Sequence, residues 1–513
     1  MAKKLLLVFL LFFTFIPSAF AQSAMDGSTP TYLQAVINTD EAIEVGKSTI
    51  FDASQSFIPY PDREFTYKWD FGDGNKNEGI EVLHAYTEQG PHTVTLTISD
   101  GVNESSATSN IFLYRKLIVL ISDQTAVKDR IEIIKDFAEK QGVFIQLIDS
   151  FGSSTEFISE EILTKKLTEE TNSLQKANQI IIWTKENAGL NAISRYIQSN
   201  IKKLPTNFSQ KTILDLESSI TSNISRIQRQ FEVINPKSII IAKEAAIYPL
   251  IESYDDEEFI NTLEKGGYEY EVINEKTGKL RPWNFMSYFV NLLLNNGIPD
   301  NTIALLLLLP VIATFVAFMK QVVGATTFGI YTPSIITLSF LIIGMHAGLL
   351  TLSIAIAVGA LVRYALKRVR MLFIPKMAIV ITIVSLTLFL VIIFSNYLGL
   401  FNAEFLSLAI FPMLILSTLV EKFVSVKTEK GLSSATILMT STVIVSILAY
   451  FIVGGEIDLG ITTLKINFIK NFVLAYPETI LLLLIINFLL GRWSGLRLLE
   501  RIRFREVLRH IEE

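Results

Sequence analysis

A series of long apolar runs between residues 301 and 493 constrains this chain more than any other part of its sequence. A helix needs roughly 20 apolar residues to cross the hydrocarbon core of a bilayer. The runs predict seven spans, at 301–320, 331–345, 347–366, 377–398, 403–423, 435–454 and 472–491. The second run is short and meets the third at a glycine-containing joint, so one long buried or re-entrant segment is the alternative. Residues 301–493 are therefore predicted to form a bundle of seven transmembrane helices.

The basic residues between the predicted spans indicate an orientation. Positive residues concentrate in the cytoplasmic loops of membrane proteins. With the N-terminal part outside, the outer loops carry only Lys465 and Lys470. The inner segments carry Lys320, Arg363, Lys367, Arg368, Arg370, Lys376, Lys422, Lys427, Lys430, Arg492, Arg497, Arg501, Arg503, Arg505 and Arg509. This asymmetry predicts a multi-pass protein of the inner (cytoplasmic) membrane with a cytoplasmic C-terminus.

The first 21 residues have the layout of a secretory signal peptide. Lys3 and Lys4 precede an apolar stretch at 5–16, and Ala19 and Ala21 form a small-residue cleavage site. Such a signal exports the region that follows it, which agrees with the loop charges. An uncleaved anchor helix is the alternative.

Composition excludes several functions. The formal net charge of −5 provides no general attraction to nucleic acid. The chain has no cysteine, and therefore no disulfide, thiolate metal site or thiol nucleophile. Its four histidines are scattered, and no spacing typical of a catalytic triad or a metal site is present. No catalytic residue, cofactor or metal is predicted.

Residues 29–115 show short alternating strands, clearest at 49–51, 65–69 and 94–98, which predict a small all-β sandwich. The motif W-D-F-G-D-G begins at Trp69, and H-A-Y and G-P-H-T-V-T-L follow. Together these motifs resemble the PKD domain (polycystic-kidney-disease repeat). The resemblance implies an extracellular spacer, or a module that binds an envelope protein or a glycan.

Three aspartates of this region, Asp70, Asp73 and Asp100, allow two interpretations. They fit a calcium cluster, since carboxylates are calcium ligands. They also fit turns in which each side chain accepts a hydrogen bond from its own backbone, which is the simpler interpretation.

Residues 116–275 alternate between short apolar runs and helical patterns. Strands are predicted at 117–121, 143–148, 180–183 and 238–242, with a further candidate at 268–273, and the main helices at 126–140, 213–231 and 257–265. This alternation predicts an α/β domain with an open parallel sheet, of the Rossmann or flavodoxin type. Residues 276–300 form a connector to the membrane region.

Ligands of such sheets bind beyond the carboxyl ends of the strands. The residues predicted there carry both signs of charge and form a candidate crevice: Asp123, Asp149, Lys185, Glu186, Lys243 and Glu244. No glycine-rich phosphate loop follows the first strand. Loop polarity alone is the simpler explanation of these residues.

Ionisable residues inside membrane spans are energetically unfavourable and often functional. Three are candidates here: Arg363, Glu421 and Glu478. Small residues precede Arg363 at intervals of four, which favours close helix packing, and Glu421 is a candidate partner. The alternative is that both residues lie near cytoplasmic ends of their spans and extend to the interface without a function. Glu478 follows Pro477 about two turns into the last predicted span, and an interfacial position is its alternative.

The membrane region carries a second resemblance. V-G-A-T-T-F-G-I-Y-T-P at 323–333, a basic segment at 363–376, F-P-M at 411–413 and L-G-R-W-S-G-L-R-L at 490–498 occur in order. They resemble the seven-helix membrane domain that is usually fused to an inactive transglutaminase-like domain. The resemblance implies a bacterial envelope protein associated with a cytoplasmic ATP-grasp-type enzyme and a retropepsin-like protein. Here a PKD domain and an α/β domain stand where the transglutaminase-like domain would be.

Residues 494–513 form a basic amphipathic tail, predicted to lie on the inner leaflet. The sequence favours a non-enzymatic envelope protein whose outer domains bind a ligand and whose membrane region anchors them or relays to a cytoplasmic partner. A transporter, or a membrane enzyme acting on a lipid-linked substrate, is the main alternative. A soluble enzyme on a membrane tether is the third.

Overall fold

The computed structural model describes residues 32–59, 63–153, 155–200, 208–217, 220, 224–274, 285–296, 298–366, 369, 371–397, 403–458, 463–465, 468–493, 495 and 497–503. The predicted signal peptide at 1–21 and most of the tail at 494–513 lie outside these residues. The chain forms two compact units, residues 1–116 with 142–144, and residues 117–141 with 145–513.

The first unit is built from two sheets. One has the order β1-β7-β6-β3-β4, and the other pairs β2 with β5. The strands are β1 (Ala42–Glu44), β2 (Thr49–Asp52), β3 (Thr66–Asp70), β4 (Lys76–Glu78), β5 (Glu81–His84), β6 (Gly90–Ser99) and β7 (Glu104–Tyr114). Both sheets contribute to one apolar core that contains Phe51, Trp69 and Leu96. In β6, buried Val94, Leu96 and Ile98 alternate with threonines, which is the period-two pattern of a strand with one buried face.

Glycine is required at one turn of this unit. Gly72 has a φ of +74°, and a Cβ built there would lie 2.6 Å from the carbonyl oxygen of Thr93. Both the backbone conformation and the close approach therefore exclude a side chain.

The aspartates of the turns bond their own backbone. Asp70 accepts from the amide of Gly72 at 3.1 Å, and Asp73 from that of Asn75 at 2.9 Å. Asp100 accepts from the amides of Val102 and Asn103. These hydrogen bonds agree with the turn interpretation of the three aspartates.

A six-stranded sheet with the order β13-β12-β11-β10-β8-β9 is the centre of the α/β domain, and all of it except residues 116 and 143–144 belongs to the second unit. Its strands are β8 (Lys116–Ser122), β9 (Val143–Asp149), β10 (Gln179–Trp183), β11 (Thr212–Leu216), β12 (Ser238–Ala242) and β13 (Tyr270–Ile273). Its helices are α1 (Lys128–Lys140), α2 (Glu156–Glu169), α3 (Thr171–Lys176), α4 (Ala188–Asn200), α5 (Ile224–Ile234), α6 (Ile247–Glu252) and α7 (Asp256–Lys265).

Two predictions for this domain need correction. The sheet is mixed, because β13 runs antiparallel to β12, whereas β8, β10, β11 and β12 pair in parallel. An antiparallel edge strand on an otherwise parallel sheet is common. The helix predicted at 213–231 is instead strand β11 followed by helix α5. Every residue of β11 is buried, so it lacks the alternation that identifies a half-exposed strand.

The membrane region of the same unit contains helices α8 (Phe285–Asn295), α9 (Asp300–Phe318), α10 (Tyr331–Ile343), α11 (Met345–Leu366), α12 (Phe373–Tyr397), α13 (Ala403–Ile452), α14 (Phe468–Ala475), α15 (Thr479–Gly491) and α16 (Leu498–Arg503). A π-helical turn, Met319–Val323, extends α9, and α13 is broken at Gly431. Two short strands, β14 (Glu456–Asp458) and β15 (Thr463–Lys465), pair as a hairpin.

Among the described residues, four helical segments are long and apolar enough to cross a membrane: Asp300–Val323, Met345–Leu366, Ile374–Val391 and Glu429–Ile452. A bent pair, Phe468–Ala475 with Thr479–Gly491, makes a fifth if it is one span. The predicted second span is the short helix α10, which has 13 residues and ends at Gly344 with a φ of +86°. The predicted seventh span is bent by 118° where α14 meets α15. The described residues of the membrane region therefore contain four or five helical segments of spanning length, not the seven that were predicted.

Buried hydroxyls connect the helices at the centre of this region. Thr337 of α10 donates to the carbonyl of Ser446 at 3.0 Å, and Thr442 accepts from the amide of Phe328 at 3.1 Å. Lys422 donates to Thr332 at 2.8 Å. These bonds link α10 and the segment before it to α13, in a setting where unpaired polar groups are strongly unfavourable.

Candidate functional site

The carboxyl edge of the α/β sheet holds the candidate site. Strand order reverses at β8 and β10, because β9 lies on one side of β8 and the later strands lie on the other. Ligands of open α/β sheets bind at such a switch point. Asp123 follows β8, and its carboxylate accepts a 2.7 Å hydrogen bond from the amide of Lys185, which follows β10. The two strand ends at the switch point are thus joined directly.

The structure brings together half of the predicted crevice. Asp123, Lys185 and Glu186 line one cavity. The other three residues pair elsewhere: Asp149 with Lys166 at 3.4 Å, Lys243 with Glu269 at 2.5 Å, and Glu244 with Arg130 at 2.7 Å.

The cavity has a volume of about 60 Å³, room for roughly four water molecules. The α/β domain contributes Asp123, Ser153, Thr155, Glu156, Phe157, Lys185 and Glu186 to its wall. The membrane region contributes Leu341, Tyr450, Gly454, Gly455 and Lys470. The sheet edge where a soluble relative would meet water therefore faces the membrane helices here.

A buried group of five charged residues lies beside this cavity, and we call it the charge cluster. Its centre is Arg226 of α5, whose side chain is 5% exposed. The guanidinium lies 3.2 Å from a carboxylate oxygen of Glu156, 3.1 Å from one of Asp300 and 3.7 Å from one of Glu186. Lys470 lies 2.7 Å from Glu156 and 2.5 Å from Glu186. Three carboxylates thus share two cations.

The charge cluster joins two parts of the chain. Arg226, Glu156 and Glu186 belong to the α/β domain, whereas Asp300 opens α9 and Lys470 lies on α14. Glu186 adopts a φ of +52°, which is uncommon for a residue with a side chain. Its backbone is held in this conformation at the point where its carboxylate meets both cations.

A hydrogen bond reinforces the same junction. The hydroxyl of Thr155, the N-cap of α2, accepts from the amide of Ile158 and donates to the carbonyl of Ile342 at 2.8 Å. It therefore caps the start of α2 and the end of α10 together. Ile158 of α2 also belongs to the apolar core of the membrane helices.

The charges of the cluster stabilise one another. Burial by itself would lower the pKa of Arg226, but Asp300, Glu156 and Glu186 raise it above its ordinary value. The guanidinium therefore stays charged. Attraction between buried charges offsets their loss of hydration only when the geometry is good, and here each cation lies between at least two carboxylates.

Further polar residues surround the cluster. Burial raises the pKa of Glu160 to about 8, so its carboxyl is largely protonated at neutral pH. Asn301 donates a hydrogen bond to this carboxyl, and Arg195 lies 3.6 Å from it.

Two more buried groups lie near the cluster. Arg229 donates a hydrogen bond to the carbonyl of Leu474 at 2.6 Å and so satisfies the last turn of α14. Burial also raises the pKa of Asp123, to about 6.

Sequence reasoning missed most of the cluster. Arg226, Glu156 and Asp300 lie in segments that carry no motif, and nothing in their spacing predicts that they meet. Lys470 did carry a signal, because it is one of two basic residues in the predicted outer loops. A lone lysine beside a span, with an acidic residue opening another span, is a pattern that could have indicated a pair.

The three ionisable residues predicted within the spans fall in different surroundings. On α11, Thr351, Ala355 and Gly359 are buried, and Arg363 follows them half-buried. The side chain of Glu421 lies outside the described residues, so its pairing with Arg363 stays a prediction.

Glu478 lies at the bend between α14 and α15 rather than two turns inside a continuous span. Its carboxylate accepts from the amide of Ser287 at 3.2 Å and faces the hydroxyl of the same residue at 3.4 Å. Pro477 has no amide hydrogen to donate, which favours a break at this position.

Within the described ranges, no group of three or more histidine, aspartate or glutamate side chains is arranged to hold a metal ion. The charges at the sheet edge are arranged to pair with one another across the junction between the α/β domain and the membrane helices.

Comparison with known proteins agrees with both resemblances. Collagenase ColA of Clostridium perfringens (strain 13 / Type A) is 36% identical over 77 residues, which are 14% of this chain and 7% of the collagenase. The chain thus spans a small fraction of that relative. The PKD-domain model matches residues 33–113. The model described as seven transmembrane helices usually fused to an inactive transglutaminase matches residues 293–508. This multi-pass membrane protein therefore carries a PKD domain and a membrane domain of the family that is usually fused to an inactive transglutaminase.

Proposed function

We propose that this chain is a non-enzymatic membrane protein of the cell envelope that relays between the two sides of the cytoplasmic membrane. In this proposal the PKD domain and the α/β domain lie outside the cytoplasm, and the C-terminus lies inside. The PKD domain binds an envelope protein or a glycan. The tail meets a cytoplasmic partner, for which the family resemblance suggests an ATP-grasp-type enzyme.

The charge cluster is the observation that carries this proposal. The physical basis of coupling between distant sites is an element with two arrangements whose balance both sites influence. Arg226, Glu156 and Glu186 sit at the ligand-binding edge of the sheet, and they pair with Asp300 and Lys470 of the membrane region. Any movement of the strand ends at this edge would displace charges that are fixed to α9 and α14. The arrangement supports a relay better than a passive tether.

Orientation can be tested directly, because the native chain has no cysteine. Ile133→Cys places a thiol on an exposed position of α1. A membrane-impermeant maleimide should label this variant in intact cells, whereas a reporter fused after residue 513 should be active in the cytoplasm. Labelling of Ile133→Cys only after lysis would refute the proposed topology.

The cytoplasmic partner can be tested by removing residues 496–513. The truncated protein should insert and purify normally and lose its cytoplasmic partner in affinity purification. The full-length Arg226→Met variant is the companion, since it keeps the tail and should therefore keep the partner although its junction is weakened. Unchanged partner recovery after truncation would show that the tail is only a topology signal.

A transporter, or a membrane enzyme acting on a lipid-linked envelope substrate, is the second candidate, and the interrupted helices favour it. Binding sites of transporters form where helices are discontinuous near the bilayer midplane. Helix α10 is short, and buried hydroxyls such as Thr332 and Thr337 line its contact with α13. A small thiol reagent should reach Thr332→Cys or Thr337→Cys from both sides of the membrane in a transporter. In a relay protein both thiols should stay protected.

A further inference from the structure

Helix α14 presents two different faces. Phe468, Phe472 and Tyr476, the residue that follows the helix, stand at intervals of four, with ring centroids 6.1 and 5.7 Å apart, and all three are exposed. The opposite face holds Lys470, which is buried in the charge cluster, and Val473. One side of this short helix therefore binds charges of the α/β domain, while its other side is a row of exposed aromatic rings.

Helix α8 has the same division. Phe285, Tyr288, Phe289 and Leu292 are exposed along one face. On the opposite face Ser287 donates its amide to Glu478, and Asn291 donates to Glu232 of α5 at 2.8 Å. The polar groups of α8 thus point toward protein, and its aromatic groups point away from it.

Both helices adjoin the membrane spans. Helix α8 precedes α9 by a few residues, and α14 turns by 118° into α15. None of the side chains of α15 is buried, and its exposed leucines and isoleucines have the composition of a lipid-facing surface. The aromatic face of α14 is therefore continuous along the chain with a surface suited to lipid tails.

We propose that α8 and α14 lie in the membrane interface, with their aromatic faces among the lipid headgroups, and that they seat the α/β domain on the bilayer. Tyrosine concentrates at this level of membrane proteins because its ring is amphipathic, and each face carries one, Tyr288 and Tyr476. Phenylalanine and leucine are typical of the apolar face of helices that lie in the interface. Helices with one apolar and one polar face lie in the interface plane. The exposed faces of α8 and α14 carry no charged residue, which favours lipid over a soluble partner as their occupant.

This inference goes beyond the relay, since it concerns how the α/β domain is held and is independent of any signal. It places Lys470 of the charge cluster at headgroup level, on the face of α14 opposite the aromatic rings. The position of Lys470 is then determined by the lipid contacts of the aromatic face of α14 and by the carboxylates of Glu156 and Glu186 on its opposite face.

The absence of native cysteine allows a direct test by site-directed spin labelling of the full chain in lipid nanodiscs. Labels at Phe468→Cys (77% exposed) and Tyr288→Cys (57% exposed) report the two aromatic faces. Leu484→Cys of α15 (67% exposed) serves as the lipid control, and Val102→Cys (86% exposed) as the water control. The measurement compares collision of each label with oxygen, which is enriched in lipid, and with a water-soluble nickel chelate.

Labels at positions 468 and 288 should give depth parameters between those of the two controls, with both reagents reaching them. Values equal to the Val102→Cys control would place the faces in water and overturn the proposal. Values equal to the Leu484→Cys control would place them in the acyl core, and immobilised labels that neither reagent reaches would indicate a protein partner. Either result would also overturn it. Tyr476→Cys, directly after α14 in the same aromatic row, replaces Phe468→Cys if that variant fails to fold.

Discussion

Replacing Arg226 by methionine should destabilise the junction between the α/β domain and the membrane helices. The guanidinium lies within 3.7 Å of three carboxylates, and its side chain is 5% exposed. After the replacement Glu156 and Glu186 still share Lys470, but Asp300 loses the cation that it faces. Removing one partner from a buried ion pair costs about 3–5 kcal/mol, because the remaining charge is left without compensation.

Arg130 provides a matched control in the same domain. It also pairs with a carboxylate, since Nη1 lies 2.7 Å from Glu244, but its side chain is 62% exposed. An exposed ion pair contributes about 0–1 kcal/mol. The same arginine-to-methionine change therefore removes one exposed ion pair at Arg130 and a buried contact with three carboxylates at Arg226, so the difference between the two variants measures the contribution of the buried cluster.

The assay is thermal unfolding of the purified full-length protein in nanodiscs, followed by the near-ultraviolet signal of its four tryptophans, of which Trp183 lies in β10, and by proteolysis. For a domain of this size 1 kcal/mol shifts Tm by about 2–4 °C, so Arg226→Met should lower Tm by roughly 6–20 °C. Arg130→Met should lower it by no more than about 4 °C. Equal shifts for the two variants would refute the reasoning, because they would show that the charge cluster does not hold the junction together.

Two further predictions follow from the described contacts. Glu160 should make the protein less stable as pH rises, since its pKa of about 8 means that the folded protein holds a proton which the unfolded chain releases near pH 4.5. Between about pH 4.5 and pH 8 the free energy of unfolding should fall by up to about 1.4 kcal/mol per pH unit. This pH dependence should vanish in Glu160→Gln and persist in the control Glu161→Gln. Gly72→Ala should destabilise the PKD domain in chemical denaturation by more than Gly101→Ala, because both have positive φ but only Gly72 has a backbone oxygen 2.6 Å from the new Cβ. Equal losses would show that only backbone strain matters.

Periodicity predicted the elements whose pattern is local. Strand β12 lies at 238–242 as predicted, because a short isoleucine run between turn residues has few alternatives. Strand β11 was missed because buried Thr212 and Asp215 interrupt its apolar run, so it lacks both the alternation of a half-exposed strand and the continuous run that identified β12. Breaks in helices were also poorly predicted: Pro477 was noticed, but the 118° bend beside it depends on how α14 packs on the α/β domain.

The candidate site was predictable only where topology alone determines it. Asp123 and Lys185 follow β8 and β10, the first and third strands of the domain, so the sequence places both residues at one edge of the sheet. These strands are neighbours in the flavodoxin order but not in the Rossmann order, so only the structure shows that the two residues meet. Arg226 and Lys470 are far apart in sequence and belong to elements of different kinds. They contact the same two carboxylates, Glu156 and Glu186, only because of the way the α/β domain packs on the membrane helices. No periodic pattern in the sequence encodes that packing.

The composition of the charge cluster gives a reason for its presence at this junction. Apolar residues of similar size can stabilise a buried contact as well as an ion pair does, so stability alone does not require five charges there. An apolar contact tolerates sliding, whereas two cations between three carboxylates satisfy one another in few arrangements. Glu156 and Glu186 each face both Arg226 and Lys470, so a shift of either element separates several pairs at once. We infer that the cluster specifies one docking geometry of the α/β domain, and a relay needs a defined geometry from which to depart.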